Sequence, residues 1–257
     1  MDILRKELNA IYTAQHLDRE MLDRRLVADA ISRVKMFTSV SNGCCVITDA
    51  SADRCYLIGG SFCRLLGITD SDTLYEEVAS SDEDQIYSRL HPEDLVEKRM
   101  LEYEYFKYVD PLPGEDKVRF KARCTIRIKG RDGRYVRVDN STEVFYPSPA
   151  GKTWLILCCY DLSPSPETGA GIEPHIVNNS TGEVITIETL RRRPHILTSR
   201  EKEILSLIRE GKQSKQIAAL LGISIHTVSR HRQNIIEKLS VGNTVEAIMA
   251  ASLMKLM

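Results

Sequence analysis

The sequence predicts an α+β protein in two parts. The first is a five-stranded antiparallel sheet with helices, and the second is a separate all-α domain of four helices. Three observations predict this. Short β-branched or aromatic-rich runs flank a helical stretch between residues 36 and 162. "SPSPETGAGIEP", residues 163–174, holds three Pro and two Gly and reads as a linker. Beyond Pro194 there is no proline, and glycines fall where helices should stop. Charge follows the same division. Residues 191–257 hold 12 Lys/Arg against 5 Asp/Glu, and residues 1–190 hold 23 against 31. A basic tail on an acidic body points to a polyanion that meets the tail alone.

Residues 1–35 form a helical arm in this reading. Ile3, Leu4, Leu8, Ile11 and Tyr12 recur at three- and four-residue steps, continued by Leu22, Leu26, Ala30, Ile31 and Val34. The arm is expected to pack on the body or on a second subunit. Residues 36–162 form the sheet domain. "CCVITD" and "RCYLIG" are strands separated by the turn "ASAD", and "GGSFCRLLGI" is a short helix between glycines. "HPEDLVEKRMLEYEYFKYVDP" is a longer helix. Pro92 suits its first position, and Glu93 and Asp94 suit the positive end of its dipole. Its expected apolar face is Val96, Met100, Tyr103 and Phe106. Three more strands follow, "RFKARCTIRIKG", "RYVRVDNSTEVFY" and "KTWLILCCYD", with a hairpin signal at Asp132-Gly133. Residues 163–194 read as a linker that carries a β-hairpin, with its turn at Asn179-Ser180-Thr181-Gly182.

Residues 195–257 are the helical domain. "LTSREKEILSLIREG" opens with a Thr198–Glu201 capping box and stops at Gly211. "SKQIAALLG" runs from Ser214 to Gly222, and Ser224 caps the next helix. Two helices around a Gly-containing turn make a helix-turn-helix pattern. With Val228 at the centre of the buried face, steps of about 100° per residue bring Ile235 and Leu239 beside it. The same steps put His226, Arg230, Gln233 and Glu237 on the opposite side, flanked by Ser229 and Asn234. Arg can pair bidentately with guanine and Gln with adenine, so Ser229, Arg230 and Gln233 are the expected base contacts. Lys212, Ser214, Lys215, Thr227, His231, Arg232 and Lys238 are the expected phosphate contacts, which position without specifying.

This segment closely resembles the DNA-binding domain of the LuxR/NarL family of bacterial transcription regulators. The matching residues are Leu197, Thr198, Arg200 and Glu201; Gly211; Ile217, Ala218 and Leu221; Ser224, Thr227, Val228 and His231; Lys238 and Leu239. The resemblance covers about 60 residues. It implies a four-helix domain whose third helix enters the major groove of double-stranded DNA. It also implies a homodimer on DNA through the fourth helix, "TVEAIMAASLMKLM", by way of Val245, Ile248, Met249, Ser252 and Leu256, and RNA polymerase as a further partner. Where the family commonly has Lys after Thr-Val, this chain has Ser229 and then Arg230. Base preference is therefore not carried over from relatives.

The order of strands and helices over residues 40–162 resembles a PAS domain, with "SFCRLLGI", "HPED" and "KGRDGRYVRV" as the similar phrases. That implies a sensor or dimerisation module and leaves room for an unknown small-molecule ligand. A phosphorylated receiver domain needs another strand order. An acyl-homoserine-lactone domain draws on several Trp, and this chain has one. No cofactor is predicted. Phe62 stands where a flavin-binding relative has Asn, and the helix 92–109 holds no His as a haem ligand. All seven Cys lie in this domain without C-x-x-C spacing, so no metal site is predicted. They read as small buried apolar residues, with redox sensing as the alternative. Nor is there a phosphate-cradling loop, so no catalytic residue is expected.

The longest apolar run, near "WLILCC", is far below the roughly 20 residues of a membrane span. "MDILRKELNA" lacks the apolar core of a secretory signal, so a cytoplasmic protein is expected. The combined reading is a sequence-specific transcription regulator whose front domain controls its tail. A sigma-factor-like protein and an adaptor that uses the helix-turn-helix for protein contact are the alternatives.

Overall fold

The computed structural model describes residues 3–81, 83–164, 172–186, 197–239, 241 and 243–253. The chain forms two compact units, one of residues 8–187 and the other of residues 188–257 with residues 1–7.

The N-terminal unit is built on one antiparallel sheet. Its strands are β1 (Cys44–Asp49), β2 (Arg54–Gly59), β3 (Leu74–Val78), β4 (Phe120–Lys129), β5 (Tyr135–Pro147), β6 (Thr153–Leu162), β7 (His175–Asn178) and β8 (Val184–Thr186). They lie in the order β3-β2-β1-β6-β5-β4-β7-β8. The sheet therefore has eight described strands where sequence patterning suggests five. The added strands are at its edges. β3, "LYEEV", lies in an acidic stretch and alternates half-buried with exposed residues, held by its pairing with β2. β7 and β8 are the hairpin of the expected linker. β7 pairs with β4 over Phe120–Arg123, which buries Ile176 and Ile185. The hairpin is thus an extension of the sheet. Ile172 is buried too, and its carbonyl accepts from the Thr125 amide at 2.9 Å. The rest of the expected linker, residues 165–171 and 187–194, lies outside the described residues.

Strand alternation gives the sheet two faces. On one, α2 (Arg25–Ser41) lays Val27, Ala30 and Val34 over Cys45, Ile47, Tyr56, Ile58, Leu155 and Leu157. The helix stops at Asn42, which adopts a left-handed conformation and returns its N–H to the Thr38 carbonyl at 2.9 Å. Trp154 is buried at the end of this cluster, and its Nε1 donates to Asp49 Oδ1 at 3.0 Å. Asp49, also buried, accepts from Arg24 Nη1 at 2.6 Å, which ties the arm to the sheet. The second half of α1 (Ile3–Ala14) brings Tyr12 edge-on against Phe106, on the opposite face of the sheet, and Leu17 after it joins the cluster under α2. Gln15 Nε2 donates to Asp110 Oδ1 at 2.8 Å, and Gln15 Oε1 accepts from the Thr153 amide at 3.1 Å. From Leu8 onward the expected arm belongs to the sheet unit.

The long helix on the other face, α5 (Pro92–Val109), is rotated from the expected phase. α3 (Ser61–Leu65), α4 (Asp84–Tyr87) and α6 (Gly114–Lys117) are short. The row α5 buries runs Asp94, Lys98, Leu101, Glu102, Tyr105 and Val109. Met100 and Phe106 are buried beside it, while Val96 and Tyr103 are only half-buried. Charged residues on the inner row explain the difference. Asp94 does not cap its own helix. It accepts from the Arg127 amide at 2.7 Å and from the Arg127 guanidinium, which clasps α5 to β4. Lys98 Nζ donates to Glu102 Oε1 at 2.6 Å, and Tyr87 Oη donates to the same carboxylate at 2.6 Å. Tyr160 Oη donates to Glu83, whose carboxyl is pushed up by burial. A void of about 20 Å³, room for roughly one water, lies against Glu83, Tyr87 and Glu102.

Candidate nucleic-acid interface

The C-terminal unit holds α7 (Ser199–Arg209), α8 (Ser214–Leu221), α9 (Ile225–Lys238) and α10 (Thr244–Leu253). Each start has a local cause. Thr198 Oγ1 accepts from the Glu201 amide at 3.2 Å, and Glu201 Oε2 accepts from the Thr198 amide at 2.8 Å, a complete capping box. α8 is capped by Gln213 in a reciprocal pair with Gln216. It ends at Gly222, where φ is 65°, a value that favours glycine. Arg200 Nη2 donates to the Leu221 carbonyl at 2.8 Å, which satisfies an open acceptor at that end. α9 starts where Ser224 Oγ accepts from the Thr227 amide at 3.0 Å.

One core fixes the phase of the turn. Ile204, Leu205, Ile217, Val228, Ile235 and Ala247 are fully buried together, with Leu239 at the edge. Opposite Val228 and Ile235, the side chains of His226, Ser229, Arg230, Gln233 and Glu237 are exposed. Gln233 Nε2 donates to Glu237 Oε1 at 3.0 Å, so one base-reading candidate is already oriented along the helix. Arg230 stays exposed on this face. Lys215 is exposed on the first turn of α8, and Lys212 is half-buried just before it.

Other expected phosphate contacts have partners inside the domain. Lys238 Nζ donates to Glu201 Oε2 at 2.7 Å. Arg232 donates to Ser214 Oγ at 3.0 Å and to Thr244 Oγ1 at 2.9 Å, so it fastens the starts of α8 and α10. Thr227 Oγ1 shares a hydrogen bond with Ser224 Oγ at 2.8 Å. His231 is half-buried, and its Nδ1 has no partner among the described residues. On α10, Val245 and Met249 are exposed one turn apart, and Ala247 and Ala251 are buried. Ile248 is half-buried against the domain's own core. The side chain of Ser252, and Leu256 altogether, lie outside the described residues. Sequence reasoning gave Glu201 its cap but missed its second role as the anchor of Lys238, because the two residues lie 37 apart in the sequence.

Glu201 makes the domain acid-sensitive. Burial alone would raise its carboxyl, but Lys238 and the Thr198 donors outweigh burial and hold it below the usual value. A depressed carboxylate contributes stability above its unfolded value, about 4.3, and loses it as pH falls through the folded value. Melting of the full chain over a pH series should therefore show stability falling in acid. Glu201→Gln should lower stability at neutral pH and flatten that acid limb. An equally steep limb in the variant would remove Glu201 as the cause.

The family match falls on this unit. The profile of the family described as bacterial regulatory proteins, luxR family, matches residues 195–251. The uncharacterised response regulatory protein YgeK of Escherichia coli is 51% identical over 55 residues, which is 21% of this chain and 37% of YgeK. The transcriptional regulatory protein DesR of Bacillus subtilis is 45% identical over 62 residues, 24% of this chain and 31% of DesR. The match thus spans about a third of each of these relatives. Among solved structures, a sensory box histidine kinase/response regulator of Burkholderia thailandensis superposes with a TM-score of 0.34 at 14% identity, over 51% of this chain and 83% of its own. The Vibrio cholerae VqmA dimer, solved without target DNA, superposes with a TM-score of 0.30 at 19% identity, over 86% of each chain. Among the described residues, no helix is long and apolar enough to cross a membrane. The four-helix unit that follows the sheet domain is a helix-turn-helix domain of the LuxR family of bacterial regulatory proteins.

Proposed function

We propose that this chain is a sequence-specific DNA-binding transcription regulator that works as a homodimer. The observation that carries the reading is the exposed row on α9. His226, Ser229, Arg230 and Gln233 face away from a core that holds the helix by Val228 and Ile235. A second helix of a helix-turn-helix places such a row against base edges in the major groove. In this reading Ser229, Arg230 and Gln233 contact bases. Lys212, Lys215, Thr227 and the Nε2 side of His231 meet phosphate. Arg232 and Ser214 support the start of α8, and Lys238 belongs to the domain's internal anchor. Val245 and Met249 form the dimer seam of α10, and RNA polymerase is the partner at a promoter. The sheet domain supplies the signal input.

DNA binding is tested with sequences selected from a random pool, measured by fluorescence anisotropy at several salt concentrations. Arg230→Ala should cost about 1–3 kcal/mol on the selected site and relax one base position. Lys215→Ala should weaken all sequences about equally and reduce the salt slope by about 1. An unchanged base preference in Arg230→Ala would remove Arg230 as a base reader. No retained sequence from the pool would overturn the DNA-binding reading itself.

A further inference from the structure

The seven cysteines of the N-terminal unit are free thiols, and their arrangement sorts them. Neighbouring residues in a strand face opposite sides, so Cys44 and Cys158 face α5, while Cys45 and Cys159 face α2. Cys45 on β1 and Cys159 on β6 are directly opposed in the antiparallel register. Their sulfurs are 3.4 Å apart. Cys45 lies in the apolar cluster under α2, and Cys159 lies at the edge of that cluster, partly exposed. Cys44 and Cys63 also touch, but both are completely buried. Only the Cys45–Cys159 pair combines sulfur contact with access from solvent.

We propose that Cys45 and Cys159 form a reversible redox site, in which a peroxide or a low-molecular-weight disulfide converts the two thiols into a cross-strand disulfide. Directly opposed strand residues have Cβ atoms about 4.5–5.5 Å apart, at or above the upper end of the roughly 3.5–4.5 Å that a disulfide uses. Closure therefore needs side-chain rotation together with a local approach of the two strands by up to about 1 Å. With hydrogen peroxide, the sulfur of the partly exposed Cys159 takes an oxygen atom, becomes a sulfenic acid, and water leaves. The Cys45 sulfur then attacks the Cys159 sulfur. The S–O bond breaks, the S–S bond forms, and the released hydroxide takes the Cys45 proton as a second water. Two thiols and one peroxide thus give one disulfide and two waters. A dithiol reaches the bond from the Cys159 side and restores both thiols by exchange. The site goes beyond the DNA-binding reading, and its test does not depend on DNA.

The test uses the full chain, reduced, desalted and exposed under native conditions to hydrogen peroxide or, separately, to oxidised glutathione. Remaining thiols are alkylated after denaturation, and the peptides are mapped by mass spectrometry. The expected result is a Cys45–Cys159 crosslinked peptide, five alkylated cysteines, and all seven alkylated after dithiothreitol. Cys159→Ser should slow oxidation of Cys45 by roughly tenfold or more, because the partly exposed Cys159 is the point of entry. Cys45→Ala should leave Cys159 as a sulfenic acid that dimedone traps. Seven free thiols after oxidant, a Cys44–Cys63 link in place of this one, or a link between chains would each overturn the proposal. The primary measurement is on the unaltered protein, so it holds even if a variant folds poorly.

Discussion

Trp154→Ala should destabilise the N-terminal unit by about 3–5 kcal/mol, measured by urea unfolding followed by circular dichroism. Trp154 is fully buried in the cluster under α2, so truncation leaves a cavity among Leu17, Val27, Ile47 and their neighbours. It also removes a donor from Asp49, a carboxylate with no exposure of its own. That carboxylate keeps Arg24 at 2.6 Å and Ser51 Oγ at 2.5 Å, so the loss is mainly one of volume. Trp154→Phe separates the two effects. It keeps most of the ring and loses the Nε1 bond, which should cost roughly 1.5–3 kcal/mol, the range for a hydrogen bond to a charged group. Equal losses in the two variants would make the Asp49 bond the dominant contribution. Trp154 is the single tryptophan, so its emission in the unaltered protein reports on this unit alone.

Local chemistry was legible in the sequence, and long-range pairing was not. The Thr198–Glu201 box and the Ser224 cap were readable because each motif lies within three residues. The phase of α9 was readable because Val228, Ile235 and Leu239 are its apolar residues at core spacing, and all three are buried. The Glu201–Lys238 anchor was hidden, since 37 residues separate its ends. β3 was missed because "LYEEV" carries two Glu on an edge that needs only one paired side. The hairpin of β7 and β8 was visible as a hairpin, but its place beside β4 depends on a partner some 50 residues upstream. α5 shows a different limit. A reading by apolar periodicity puts charged residues outside, and here Asp94, Lys98 and Glu102 lie inside: Asp94 has a partner 33 residues away, and the Lys98–Glu102 spacing is as common on an exposed helix face as on a buried one.

The Lys98–Glu102 pair makes the second large effect. Lys98 has no exposure, and Glu102 has almost none. The order Lys then Glu at four residues is the weaker one for helix support, so the pair matters through burial and not through propensity. Burial alone would pull the Lys98 ammonium down; Glu102, with Cys158, Cys124 and Glu83 nearby, outweighs it and holds the ammonium above its ordinary value. Lys98→Met keeps the length of the stem and removes the ammonium from the Glu102 carboxylate, which keeps the Tyr87 hydroxyl. Breaking a buried pair from one side costs about 3–5 kcal/mol. Part of that should be recovered in acid. An unpaired buried carboxyl has a raised folded value, so its favourable contribution is full below the unfolded value of about 4.3 and is lost as pH rises through the folded one. Lys98→Met should therefore be closer to the unaltered protein at pH 5 than at pH 7. Glu102→Gln added to Lys98→Met removes the stranded charge and keeps a partner for Tyr87, so the double variant should be more stable than Lys98→Met at pH 7 and should lose the acid recovery. Urea unfolding of these three proteins and of Glu102→Gln alone at both pH values completes the cycle. If the two substitutions simply add, with no recovery in the double variant, Lys98 stabilises this interior by its packing and not by neutralising Glu102.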